Sequence, residues 1–389
     1  MNVVYLDNNA TTKVADEVRE AMLPYLGELY GNPSSMHTFG GQVHRNIEVA
    51  REQIAALINA EPEEIIFTSC GTESDNTALM SAILSAPDKR HIITTRVEHP
   101  AVLNFCKTMA RQGYRVTFLP VDKGGNLSLD ELRTAVTEDT AVVSVMYANN
   151  ESGVVFPVED IARIVKSKGV PFHTDAVQAA GKIPVDVKKL PCDMMSISGH
   201  KVHAAKGVAA LYIKRGTRFS PYIIGGHQEK GRRGGTENVP SIVGFGVAAD
   251  LANKHLQTEA SKVKGLRDRL EQGLLDTCPD PMINGDRSAR LPNTLNISFK
   301  YVEGEAILLR LNEFNICASS GSACTSGSLE PSHVLRAMGV PFTAIHGSVR
   351  FSLSRYTTGE EIDFVLEKVP PIIRELRELS PYGTGPACR

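Results

Sequence analysis

The chain of 389 residues balances 42 Lys and Arg against 44 Asp and Glu, a formal net charge of −2, so no broad field recruits nucleic acid or an anionic membrane. Hydrophobic residues make up 42% and charged residues 22%, as in a globular chain long enough for a large core and two domains. No apolar run approaches a membrane span, MNVVYLDNNATT lacks the basic and apolar regions of a signal segment, and seven scattered cysteines form no CxxC pair; reduced thiols in a cytoplasmic protein are therefore expected, without a disulfide framework or a zinc site.

In chain order, apolar residues at helical spacing mark DEVREAMLPYL (16–26) and GQVHRNIEVAREQIAALIN (41–59). In the second, Val43, Ile47, Ala50, Ile54 and Leu57 form one stripe. Short β-rich runs then alternate with helical segments: EIIFTS (64–69), HIITT (91–95), RVTFLPV (115–121), AVVSVMYA (141–148), VPFHTDA (170–176), DMMSISG (193–199) and GVAALYI (207–213). Near-continuous apolar strands separated by helices predict an α/β fold with a mostly parallel sheet covered on both faces. A long helix from about 240 to 275 follows. After it come a strand at NTLNISF, a helix at GEAILLRLNEF, strands at ICASS and SVRFSLS, and a last helix from about Gly359. These predict a smaller α+β domain, and the expected division is 15–257 against 1–14 with 258–389.

Ligands of a parallel sheet sit beyond the carboxyl ends of its strands. After EIIFTS comes CGTESDN, where Gly71, Thr72 and a helix start offer N–H groups to an anion, although an ordinary helix cap reads the same way. No Walker loop is present, and GFGVAA (244–249) lies in a helical region, so a nucleotide fold is disfavoured. His99 follows HIITTRV, Asn150 follows SVMYA, Asp175 and Gln178 follow VPFH, and His200 and Lys201 follow MMSISG. An Asp at a buried strand end needs a partner, and a poorly solvated Lys is a candidate Schiff-base amine. Each alone is unremarkable: a structural His, a turn, a surface Lys. Together they are the parts of a pyridoxal phosphate site, which needs an amine for the aldehyde and a carboxylate for the ring nitrogen.

One stretch does not fit a packed fold. SSGSACTSGS (319–328) is seven-tenths Ser and Gly around Cys324. A linker with an exposed thiol and a loop-borne nucleophile are equally compatible with it. Cys317, in NICASS, is expected to be buried and to serve as the contrast; Cys388 has no assigned role.

The motifs YLDNNATT, GNPSSMHTFG, TSCGTESDN, VEHPAV, ANNESG, HTDAVQAAGK, SGHKVHAAKG, RRGGTENV, LPNTLNISF, SSGSACTSGSLEPSHVLRAMG and SVRFSLSRYTT run end to end through the chain. Their pattern resembles the cysteine desulfurases, fold type I pyridoxal phosphate enzymes of the class V aminotransferase kind, and within them the nitrogen-fixation, NifS-like branch. The resemblance implies a homodimer that takes sulfur from L-cysteine, leaves L-alanine and holds a persulfide on Cys324 for iron–sulfur cluster assembly. It implies that Lys201 binds the cofactor aldehyde and moves the Cα proton, and that His99 stacks on the ring. Asp175 would meet the ring nitrogen and Gln178 the ring hydroxyl. Gly71, Thr72, Ser198, Gly199 and His200 would hold the phosphate, with Thr236 reaching the phosphate of the neighbouring subunit. Asn150 and Arg350 would take the substrate carboxylate, the latter suited to a bidentate grip. Through its persulfide Cys324 would touch iron only transiently, on an iron–sulfur scaffold protein. A selenocysteine lyase or another lyase on the same fold would share Lys201 and Asp175. A non-catalytic scaffold would be expected to lose Lys201, and a resident iron or zinc protein lacks the paired ligand spacing.

Overall fold

The computed structural model describes residues 3–320 and 331–380; Cys324 and Cys388 lie outside them. The chain opens with β1 (Val4–Tyr5), α1 (Asp16–Met22) and α2 (Thr38–Leu57). The expected stripe of α2 is wholly buried, from Val43 to Leu57. Then follow β2 (Ile65–Thr68), α3 (Gly71–Leu84), β3 (His91–Thr95), α4 (Pro100–Arg111), β4 (Arg115–Leu119), α5 (Leu129–Ala135), β5 (Thr140–Ser144), α6 (Val158–Ser167), β6 (Phe172–Asp175), β7 (Met194–Ser198) and β8 (Ala209–Ile213). The seven strands β2 to β8 form one sheet in the order β2-β8-β7-β6-β5-β3-β4, in which only β8 runs antiparallel to its neighbours. Six of these strands are buried along their whole length, as two-sided coverage by helices demands; β4, at one edge, is not. The run 115–121 stops at Leu119 because Pro120 has no N–H for the ladder.

A single long helix, α7 (Val239–Thr277), links two cores. Its first half packs on α2, where Gly246 faces Ala50: a Cβ there would lie 2.6 Å from the Ala50 Cα, so only glycine lets the two helices approach. Its second half places Val263, Leu270 and Leu274 in a separate core with Val4, Leu6, Leu295 and Ile362. The expected boundary at 257/258 therefore falls inside one unbroken helix, between the two halves.

The remaining elements are β9 (Pro281–Ile283), β10 (Thr294–Phe299), α8 (Gly304–Asn312), β11 (Ile316–Cys317), α9 (His333–Ala337), α10 (Phe342–Ile345), β12 (Ser348–Ser352) and α11 (Gly359–Leu379). A three-stranded antiparallel sheet runs β12-β10-β9, and β1 pairs in parallel with β11. β1 and β9, two and three residues long, are too short to show the alternation that reveals a strand. Among the described residues, no helix is long and apolar enough to cross a membrane.

Candidate active site

Strands β2, β3, β5, β6 and β7 point their carboxyl ends at one edge of the large sheet, and there a cavity of about 320 Å3 opens. At the end of β2, the backbone turns at Cys70 into α3, so Gly71 and Thr72 present a helix N-terminus to the cavity. Opposite stands Ser198, whose buried Oγ has no hydrogen-bond partner among the described residues. A Cβ on residue 71 would lie 3.1 Å from Val177 Cγ2 and 3.6 Å from Ser198 Cβ, so the concavity between them depends on a glycine. Helix N–H groups, an unpartnered hydroxyl and a space of this kind fit a phosphate. His200 borders the same space with its Nδ1 3.2 Å from Thr11 Oγ1; burial, then Lys201, pushes its pKa to about 4, leaving it neutral.

His99 caps α4, its Nδ1 accepting the Ala101 N–H at 3.2 Å. That bond assigns the remaining ring proton to Nε2. Burial, with Lys201 and His333 beside it, lowers its pKa to about 4, so a neutral imidazole faces the cavity. Asp175 ends β6 and accepts the Val177 N–H at 2.9 Å. Burial raises it to about 6, against that bond and the Lys201 charge. Behind it lies a second carboxyl, Asp75, fully buried on α3. Burial, then the Asp175 charge, pushes Asp75 well up from the ordinary carboxylate range. Lys201, just past β7, donates from Nζ to the carbonyls of Asn9 at 2.6 Å and Ala10 at 2.8 Å.

Arg350, on β12, enters from the other core and is 2% exposed. Its Nη2 meets Asp7 Oδ1 at 2.7 Å and its Nη1 donates to the Asn150 carbonyl at 2.9 Å, while its buried Nε has no partner among the described residues. The cavity thus gathers ten of the expected residues: Gly71, Thr72, His99, Asn150 and Asp175 on one hand, Gln178, Ser198, His200, Lys201 and Arg350 on the other. Two stand apart. Gly199 does not line the space; its N–H is taken by the Val208 carbonyl at 3.1 Å and a Cβ there would strike Val208 at 2.9 Å, so it serves packing. Thr236 is exposed on the loop after Arg233, which is tied to Glu73 at 2.9 Å. Cys324 lies outside the described residues. Cys317, expected to be buried, is half-buried.

Sequence reasoning missed Asp7, Asn9, Asp75, Glu151 and Lys182. Asp7 and Asn9 stand in a turn with no periodic pattern, and only the unusual density of polar residues in YLDNNATT hinted at them. Glu151 is buried; burial raises it to about 7, against a hydrogen bond from Ser332 and the charge of Arg350.

A seven-stranded, mostly parallel sheet with an amine, a carboxylate and an anion cradle at its carboxyl edge, completed by a second small sheet, defines a fold type I enzyme of the pyridoxal phosphate class. The chain belongs to the aminotransferase class-V family, whose model matches residues 4–365. It is 63% identical over 387 residues to a cysteine desulfurase of Trichormus azollae, covering 100% of this chain and 97% of that protein. To the cysteine desulfurase NifS of Azotobacter vinelandii it is 58% identical over 383 residues, 98% of this chain and 95% of that one. A solved NifS-like protein superimposes with a TM-score of 0.91 at 42% identity, covering 96% of this chain and all of the other.

Proposed function

We infer that this chain is a pyridoxal phosphate-dependent cysteine desulfurase that removes sulfur from L-cysteine, releases L-alanine and carries the sulfur as a persulfide on Cys324. The observation that carries the reading is the convergence, in one cavity, of Lys201, Asp175, His99 and the Gly71–Ser198 cradle with a buried Arg350. The two relatives named desulfurase, similar to this chain over nearly its whole length, support it.

Lys201 holds the cofactor aldehyde, Asp175 its ring nitrogen and Gln178 its ring hydroxyl; Gly71, Thr72, Ser198 and His200 hold its phosphate. Bound there, the cofactor supplies an electron sink for a carbanion at the substrate Cα. Lys201, next to the backbone carbonyls of Asn9 and Ala10, takes the Cα proton. Arg350 grips the substrate carboxylate, with Asp7 and the Asn150 carbonyl fixing the guanidinium plane and Asn150 closing the same side. His99, neutral with its proton on Nε2, donates a hydrogen bond from that nitrogen into the cavity. The Cys324 thiolate attacks the substrate sulfur: the S–S bond forms and the C–S bond breaks with its electron pair left on carbon. The proton given up by the Cys324 thiol completes the methyl group of alanine, and Lys201 returns its proton to Cα.

Both ends of the segment that carries Cys324 are pinned near this cavity. Ser319 exchanges backbone hydrogen bonds with Arg350, and Ser332 donates to Glu151. The division into domains 15–257 and 1–14 with 258–389 belongs to the same reading, as does a homodimer in which the exposed Thr236 reaches the neighbouring phosphate. Sulfur passes from Cys324 to an iron–sulfur scaffold protein, where the persulfide meets iron transiently, and the resemblance to NifS supports service to nitrogenase in the cytoplasm.

The deciding experiment incubates the cofactor-loaded protein with L-cysteine and a thiol reductant and measures alanine and sulfide. The parent is expected to make both in equal amounts. Cys324→Ala is expected to lose sulfide release while L-cysteine still perturbs the cofactor spectrum. A fully active Cys324→Ala, or a parent that forms no alanine, overturns the assignment.

A further inference from the structure

Behind Gln178, on the side away from the cavity, sits Lys182, a residue with no part in the chemistry above. Its ammonium donates to Gln178 Oε1 at 2.5 Å and to Asn9 Oδ1 at 3.2 Å. Gln178 Nε2 in turn donates to the Asn9 carbonyl at 3.0 Å, the same carbonyl that accepts from Lys201. A carbonyl oxygen only accepts, so the amide nitrogen must face Asn9 and the amide oxygen is left facing Lys182. Charged or neutral, an amine can donate to that oxygen. The Gln178 amide therefore has one allowed orientation, and its second N–H is kept for the cavity that Gln178 lines.

Asn9 is held as tightly. Its Oδ1 also accepts from Asn293 Nδ2 at 2.9 Å, and its Nδ2 donates to the Asn150 carbonyl at 3.1 Å and to Thr294 Oγ1 at 2.9 Å. Lys182 thus joins the large sheet's cavity edge to β10 of the small sheet through one buried amide. A lysine is costly to place in such surroundings: burial, then Lys201 and Arg350, pushes its amine well below the ordinary value. A group retained at that cost is best explained by what it holds.

We propose that Lys182 is a positioning residue for the cofactor: it locks the Gln178 amide with its nitrogen toward the ring hydroxyl and steadies the Asn9 carbonyl against which Lys201 rests. The inference rests on the proposed function, and its test separates the two. The cofactor-loaded parent, Lys182→Met, Gln178→Met, the double variant and Lys182→Arg are compared for the visible absorption of bound pyridoxal phosphate, its dissociation constant and thermal midpoint. Lys182→Met is expected to shift the visible band and to weaken cofactor binding by about tenfold, the cost of leaving a polar partner unmatched. Gln178→Met is expected to do the same, and the double variant to add less than about twofold, since both act through one amide. Lys182→Arg, which can still donate to both oxygens, is expected to restore the band of the parent. If Lys182→Met lowers the thermal midpoint but leaves the band and the dissociation constant unchanged, or if the two losses multiply, Lys182 is structural and the proposal falls. Should Lys182→Met not fold, Lys182→Arg decides alone: a shifted band with retained midpoint overturns it. A parent that binds no pyridoxal phosphate sinks the proposed function instead.

Discussion

The carboxyl edge of the large sheet and the turn at Asp7–Thr12 build one cavity by opposite means. At the sheet edge, each functional residue follows a strand whose ladder already fixes its backbone; Asp175, Ser198 and His99 stand where β6, β7 and β3 leave them. The turn's own backbone bonds, from the Ala10 and Thr11 N–H groups to the Asp7 carbonyl, are outnumbered by bonds to distant parts of the chain. Asn8 and Asn9 donate their N–H groups to the carbonyl and the Oγ of Ser352, and the Thr12 N–H goes to the His200 carbonyl, partners hundreds of residues away. The edge can be rigid before the small sheet docks, whereas the turn exists only once both cores are assembled. Chemistry should therefore be separable from stability at the edge and inseparable from it in the turn.

The largest effect belongs to the edge. Lys201→Ala is expected to reduce alanine formation by roughly a thousandfold or more, on the scale of a lost proton-transfer group. Its thermal midpoint in the absence of cofactor should stay near the parent's, because the lost bonds run to two backbone carbonyls at a cavity that water can enter. A variant that unfolds would show the edge to be no more independent than the turn. Asn9→Ala is the matching change in the turn. It removes the acceptor of Lys182 and Asn293 and the donor to Asn150 and Thr294, in a residue 2% exposed. A loss of about 2 kcal/mol in unfolding free energy is expected, together with weaker cofactor binding. Chemical denaturation of the apo and loaded forms reads both at once. A stable Asn9→Ala with normal cofactor affinity would break the contrast.

The same contrast explains what the sequence could reveal. The seven strands of the large sheet, the stripe of α2 and the long helix α7 announce themselves by periodicity, because their burial is repeated every two or every 3.6 residues. Residues directly after such strands inherit that legibility, so ten of the expected positions reach one cavity. Asp7 and Asn9 are placed by tertiary hydrogen bonds that leave no local period, and Lys182 stands four residues after Gln178 in a turn that no periodicity announces. Asp75 lies inside α3, where an acidic residue near a helix N-terminus reads as ordinary. Gly199 shows a related limit: adjacency in sequence to Ser198 and His200 does not bring it to the cavity lining, because its N–H is consumed by Val208.

An effect smaller at each pH unit than the loss at Asn9 probes a cost built into the edge itself. Glu98, next to His99, is 0% exposed. Its carboxyl accepts the Met146 N–H at 3.0 and 3.1 Å and the Thr95 hydroxyl at 2.7 Å, and burial nonetheless pushes its pKa up to about 8, with the Asp175 charge adding to the rise. The unfolded carboxyl titrates near about 4.3. Between these two values the folded chain binds a proton that the unfolded chain has released. The stabilising contribution is therefore fully present below the unfolded value, declines as pH rises and is gone above the folded one. Glu98→Gln keeps an acceptor for Met146 and cannot ionise. Its stability relative to the parent is expected to improve by about 1 kcal/mol per pH unit between about pH 5 and about pH 8, read from urea unfolding of both proteins across that range. If the difference stays constant, Glu98 is ionised in the folded protein. The Met146 and Thr95 hydrogen bonds would then carry a full charge at the sheet edge, which would owe its rigidity to that anion.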